Sequence, residues 1–330
     1  MTAFGGCHTG RRHLVSMVTA NEEETTMRVL VTGAGGAIGL PLVAQLLDRG
    51  HEVIGTSRTP AGAARIRALG AEARTLDVLD RRAVRAVVLG ARPDAIAHEA
   101  TALTGIDLRR FARSFAETNR LRTEGTDALL AAAWEADVHR FVAQSFAGWM
   151  NAREGGPVKS EADPPDPHPP GPVRETVAAI RKLERTIDDF GGAALRYGAF
   201  YGAPSDVLPA IVRARRLPLI GGGRGVWSFI HVADAAAATV LALEQEAQGV
   251  FNVVDDDPAP VRVWLPALAQ MLGAPPPRRL PAWLGRVLAG EAVVLTMTEA
   301  RGASNAKARR ELGWTPRYAS WRDGFRAAYV

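Results

Sequence analysis

The sequence predicts an α/β fold, a doubly wound parallel sheet with a smaller C-terminal α/β domain. Three observations predict it. Short apolar runs alternate with segments of helical periodicity from Met27 to about residue 200. The first of these runs, Val29-Leu30-Val31, leads at once into Gly33, Gly36 and Gly39, with Ile38, Leu42, Val43, Leu46 and Leu47 at helical spacing. With 47% hydrophobic residues and a mean hydropathy near zero, 330 residues are enough for a large core.

A strand, a glycine turn and a helix together lay a dinucleotide pyrophosphate on backbone N–H groups at the helix N-terminus. Gly33, Gly36, Ala37, Ile38 and Gly39 are the expected phosphate contacts, which makes the fold Rossmann-type. The second strand, His51–Ser57, ends at Arg58. An acidic residue there would grip a ribose 2′-hydroxyl, but Ser57 and Arg58 suit a 2′-phosphate, so NADP(H) is expected over NAD(H). A helix over 61–69 precedes a strand at Glu72–Leu76 with Asp77 and Val78 at its end. A helix over 80–90, a strand at Asp94–His98, a long helical region from Phe111 to Ala136 containing Asn119, and a strand at Arg140–Ser145 complete this half. Gly33, Arg58, Asp77, Ala100 and Ser145 all fall at strand carboxyl ends, where such sheets bind ligands.

Residues 154–174 carry six prolines between Pro164 and Pro172, a loop that either connects or covers the sheet's carboxyl edge. A helix over 175–190 and a strand at Ala193–Arg196 follow. The remainder is more irregular, with helices near 206–216 and 233–246 and strands at Trp227–Val232 and Gly249–Val254. Residues 1–26 are read as a polar, disordered leader, 27–200 as mainly cofactor-binding, and 201–330 as mainly substrate-binding, interleaved with the last sheet elements.

Composition excludes several classes. Lys159, Lys182 and Lys307 are the only lysines, and no basic run is interleaved with aromatics, so nucleic acid is not an expected partner. No apolar run approaches the roughly 18 residues that span a bilayer. Cys7 alone allows neither an internal disulfide nor a cysteine metal cage, and no His/Glu spacing indicates another metal site. Without an apolar signal segment after Arg11-Arg12-His13, a cytoplasmic protein is expected.

Thr32–Gly39, Asp77-Val78, His98-Glu99-Ala100-Thr101, Asn119 with Gly125-Thr126, Phe229–Asp234, Phe251-Asn252-Val253, and Lys307 with Glu311–Trp314 occur in an order that resembles one family. The chain from Met27 onward is similar to extended short-chain dehydrogenases/reductases of the NAD-dependent epimerase/dehydratase type. The resemblance implies adenine contact at Asp77 and Val78, and cofactor contact at Ala100, Thr101 and Asn119. It also implies a homodimer through helices 111–136 and 175–190.

That family's chemistry uses a tyrosine and a lysine four residues later, on one helical face, as a general acid/base. None of Tyr197, Tyr201, Tyr318 and Tyr329 has a lysine four residues on. Aligned on Lys182-Leu183-Glu184, the two places hold Thr176 and Ile180, and Lys182 lies about 200° around the helix from the expected face. The chain therefore reads as an atypical member lacking the dyad. Ser145 is expected to hold the substrate oxygen, with a proton from Thr176 through water, from His168, or from the cofactor ribose. Trp149, Phe200 and Trp227 are expected to line an apolar pocket. Trp227 stands where nucleotide-sugar members place an arginine. The expected function is an NAD(P)-dependent oxidoreductase for a small, non-nucleotide carbonyl or alcohol. The alternatives are a nucleotide-sugar epimerase/dehydratase, and a cofactor-binding protein without redox turnover.

Overall fold

The computed structural model describes residues 26–103, 107–149 and 151–330. The leader expected over 1–26 lies outside these residues, apart from Thr26. Five strands, β1 Arg28–Thr32, β2 Glu52–Ser57, β3 Glu72–Thr75, β4 Ala95–His98 and β5 Arg140–Phe146, share one sheet. The two-residue β6, Val158–Lys159, lies outside it, and β7 Ala193–Tyr197 and β12 Gly249–Val253 complete it. The order is β12-β7-β5-β4-β1-β2-β3, and every pairing is parallel. Chain order reverses between β1 and β4, so their carboxyl ends flank the crevice in which such sheets bind ligands.

Apolar side chains on both faces of the strands require two helical layers. Helices α1 Gly39–Asp48, α2 Pro60–Ala68 and α8 Val232–Glu244 cover one face. Helices α3 Arg81–Ala91, α5 Thr126–Glu135 and α6 Arg174–Phe190 cover the other. The helical region expected as one piece over 111–136 is α4 Phe111–Arg120, a π turn at Leu121–Gly125, and α5. The wider turn admits a residue that a regular helix would not. Arg122 turns into the interior there, and a Cβ at Gly125 would sit 2.9 Å from Val78 Cγ1.

The C-terminal region joins four small pairs: β8 Ala199–Tyr201 with β11 Phe229–His231, β9 Leu219–Ile220 with β14 Arg279–Leu280, β10 Val226–Trp227 with β13 Ala259–Pro260, and β6 with β15 Gly302–Ala303. Helix α7 covers only Leu208–Arg213, shorter than expected, because Arg215 adopts a left-handed φ of 53°. Helices α9 Val261–Met271, α10 Ala282–Ala289, α11 Glu291–Thr298, α12 Ala306–Glu311 and α13 Trp321–Tyr329 complete the chain. Trp264, Trp321, Phe229 and Phe325 form the aromatic core of this region. Among the described residues, no helix is long and apolar enough to cross a membrane.

Trp264 is fully buried, its ring 4.9 Å from Trp227 and 5.2 Å from Phe229. Trp264→Ala should destabilise the chain by about 3–5 kcal/mol, as expected for deleting a large buried ring. Urea unfolding checks this.

Candidate active site

The glycine turn is cut to the shape of a close ligand. Gly33 holds φ at +74°, and a Cβ there would meet the backbone of Ala100 at 2.7 Å. A Cβ at Gly39 would lie 2.3 Å from the Gly33 carbonyl oxygen. Helix α1 starts at Gly39 with no side-chain cap and no acidic residue in its first turn, which leaves that N-terminus to an anion. Gly33, Gly36, Ala37 and Ile38 border a hollow of about 350 Å³ that Ser57 and Arg58 close on one side and Val78 on another. Ala100, Thr101 and Gln144 form the rest of its floor. The residues present therefore fit a dinucleotide.

Two residues expected at the cofactor and one expected at the substrate are placed as follows. Asp77 is exposed and accepts the Leu79 N–H at 3.0 Å, capping a turn while its neighbours Leu76 and Val78 line the hollow. Asn119 is not among the residues that line the hollow and donates to the Thr176 hydroxyl at 3.2 Å. Phe200, expected at the substrate, lines the cofactor hollow, where it packs on Tyr197. Arg58 lines the hollow as expected and is paired with Glu117, both half-exposed.

A buried polar set lies beneath this floor. Glu99 lines the hollow, yet is 5% exposed, and its Oε2 has no hydrogen-bond partner. Its Oε1 accepts from the Tyr197 hydroxyl at 3.2 Å, and that hydroxyl also meets Thr239 Oγ1 at 2.6 Å. Burial pushes the Glu99 carboxyl up to about 8, so it is largely neutral at pH 7. Burial also holds the Tyr197 phenol well above its ordinary value. His98, hydrogen-bonded to Thr32 Oγ1 at 2.7 Å, is pushed down to about 4 by burial and stays neutral.

A second hollow, of about 170 Å³, opens beyond the end of β5 and beside the start of β8. Phe111, Phe146, Trp149, Val226, Trp227 and Met297 supply most of its wall. Phe111 and Phe115 stack at 4.2 Å, with the Trp149 ring edge-on to both at 5.0 and 5.5 Å. Phe146 lies 4.7 Å from Trp149. Leu103 joins the two hollows, lining the first and packing on this aromatic cluster. Ile180, at the expected lysine place, is fully buried in the same cluster. Trp149 and Trp227 both line this hollow.

The three expected catalytic groups do not face this hollow. Successive strand residues point to opposite sides. Gln144 and Phe146 face the two hollows, so Ser145 turns the other way. Ser145 is fully buried and donates to Glu184 Oε1 at 2.7 Å, while Arg196 grips both oxygens of Glu184 at 2.7 and 2.8 Å. Thr176 is 1% exposed and its hydroxyl accepts from Asn119. His168 sits on the outer side of the proline loop, exposed beside Arg174 and Arg181 of α6. Lys182 is a surface residue paired with Asp127 at 2.6 Å. Among the described residues, no tyrosine or lysine lines either hollow.

Sequence reasoning missed Phe146, Phe111 and Glu99. The two-residue period of β5 separates Phe146 from Ser145 and could have found the first. No local signal marks Glu99, which becomes buried only when β4, β7 and α8 come together.

A glycine cradle at the switch point of a parallel sheet, beside a second, apolar hollow, defines a dinucleotide-dependent enzyme. The chain belongs to the NAD dependent epimerase/dehydratase family, whose model matches residues 29–254. It is an NAD(P)-dependent enzyme of the oxidoreductase and epimerase-like kind. It is 46% identical over 316 residues to a 3-diazoavenalumate denitrifying reductase of a Streptomyces species, covering 90% of this chain and 99% of that protein. Among solved structures it resembles the UDP-glucose 4-epimerase of Thermotoga maritima bound to UDP-glucose. That match has a TM-score of 0.75 at 23% identity, covering 92% of this chain and 97% of the other. The human epimerase family protein SDR39U1 with NADPH has a TM-score of 0.73 at 22% identity, covering 92% and 99%.

Gly39→Ala should abolish cofactor binding in a calorimetric titration, since the added carbon has only backbone to push against. Glu99 gives a pH signature. Its folded value of about 8 lies above the ordinary 4.5, so its stabilising contribution is complete below pH 4.5 and is lost as pH rises through 8. Melting temperature should fall more steeply between pH 5 and 8 in the native chain than in Glu99→Gln.

Proposed function

We propose that this protein is an NADPH-dependent reductase of a flat, mostly apolar aromatic compound, acting without a side-chain acid. The observation that carries this reading is the wall of the second hollow, where aromatic and aliphatic groups outnumber the polar Ser228, Thr296 and Arg301 and, among the described residues, no tyrosine or lysine stands. The enclosed 170 Å³ is close to the roughly 150 Å³ cavity that takes up benzene, so it suits one substituted ring and not a nucleotide sugar.

The relative named as a denitrifying reductase of a diazo compound supplies a reaction that such a wall can support. When bound, the nicotinamide supplies a hydride, and in a diazo reduction that hydride replaces dinitrogen, which leaves with the bonding pair of the broken C–N bond. The negative charge would end on a ring oxygen as a phenolate, a weak base that water protonates, so no positioned acid is needed. The protein's residues have simpler tasks. Phe146, Trp149 and Trp227 orient the ring by offset and edge contacts and exclude water. The glycine cradle holds the diphosphate. Ser145, tied to Glu184, acts as a positioning residue that sets the end of β5.

The cofactor preference rests on Arg58 and on the absence of an acidic residue at the end of β2. The proposed homodimer rests on the family resemblance through the faces of α4, α5 and α6.

Incubation with NADPH and a diazo-substituted hydroxyarene should consume the cofactor and release one equivalent of dinitrogen, read by mass spectrometry. Turnover of simple ketones with no reaction of the diazo compound would sink the proposal. Arg58→Ala should weaken NADPH binding about tenfold, the scale of one solvent-screened charge-assisted contact, and leave NADH binding unchanged.

A further inference from the structure

The polar groups around the apolar hollow are unequal. Trp227 Nε1 donates to the Thr296 carbonyl at 3.0 Å, the Thr296 hydroxyl to the Ala292 carbonyl at 2.7 Å, and the Ser228 hydroxyl to the Ala303 carbonyl at 3.3 Å. Each has spent its donor on the backbone. Arg301 has not. It lines the hollow, its Nη2 donates to the Arg153 carbonyl, and its buried Nε has no partner. Among the described residues it pairs with no carboxylate.

A smaller, more polar hollow opens on the far side of Arg301 and shares Ala147, Trp149, Thr296 and Arg301 with the first. Asn151 lines it with a buried Oδ1 that has no partner. The carboxylates there, Asp166 and Glu299, both engage Arg153, at 3.3 and 2.7 Å. Arg301 is thus the guanidinium that keeps unused donors, and it stands where the apolar hollow gives way to the polar one.

We propose that Arg301 anchors a carboxylate of the substrate, so that the site takes a flat aromatic acid with its ring among Phe146, Trp149 and Trp227. This rests on reading the apolar hollow as the substrate site. A guanidinium with free N–H groups in a poorly solvated setting matches a carboxylate in charge and donor geometry. The apolar wall strengthens that pairing by keeping water out. A neutral amide of the same shape cannot use the charge.

The test is calorimetric titration of the full chain, saturated with NADP+ so that no turnover occurs, with cinnamate and with cinnamamide. Cinnamate should bind at least about tenfold more tightly than the amide, the range of one buried charge-assisted pair. Arg301→Gln should erase the difference, and Arg301→Lys should keep part of it. Unchanged NADP+ affinity and melting temperature in Arg301→Gln establish that the variant is folded. Equal binding of acid and amide, no binding of cinnamate, or a preference that survives Arg301→Gln overturns the proposal. An Arg301-dependent preference in a chain that releases no dinitrogen from diazo compounds overturns the reductase reading alone. Dinitrogen release that is indifferent to Arg301→Gln and to the substrate's charge overturns the anchor alone.

Discussion

One carboxylate, Glu184, ties the cleft together. It lies on the buried face of α6 and receives the Ser145 hydroxyl from β5 and the Arg196 guanidinium from β7. Three elements are thereby fixed to one another by charge-assisted bonds in a site where unpaired charge is costly. Because Ser145 is held from behind, the residues before and after it must face forward. Gln144 then reaches the cofactor hollow and Phe146 the aromatic one. The arrangement of both hollows follows from which way that one strand end is turned.

The same tie explains how the site differs from the chemistry that the family resemblance implies. A serine at the end of β5 is a good candidate for holding an oxygen until its neighbours are considered. Here the hydroxyl is consumed within the fold, and of the two residues aligned with the tyrosine and lysine, Thr176 is buried against Asn119 while Ile180 packs with Phe111, Phe115 and Val177. Beside it stands a mostly apolar wall, with Arg301 the one charged side chain among the described residues that line the second hollow.

The sheet was legible because each element is decided locally. Val29–Val31, Gly33 and the periodic run to Leu47 announce a strand, a turn and a helix with no help from distant residues. Trp149 and Trp227 could be picked out as large rings beside glycine-rich strand ends, but their packing on Phe111 and Trp264 depends on residues far along the chain. The orientation of Ser145 was not, since a serine reads alike on either face of a strand. Glu184 held the missing clue: a carboxylate at an apolar position of an amphipathic helix calls for a buried partner. The break in the 111–136 helix also escaped, because a π turn has no composition of its own and depends on Arg122 fitting inward.

The aromatic wall has a consequence for time as well as for shape. A reactive electrophile in bulk water is consumed by whatever nucleophile it meets first, and water is always first. Seated among Phe146, Trp149 and Trp227, the ring of the substrate we propose would present less of itself to solvent, and its lifetime would depend on how long it stays seated. Such a chamber acts as a shelter: selectivity comes from outlasting the competing reaction, and a loosened ring contact would show as wasted substrate before it showed as lost rate.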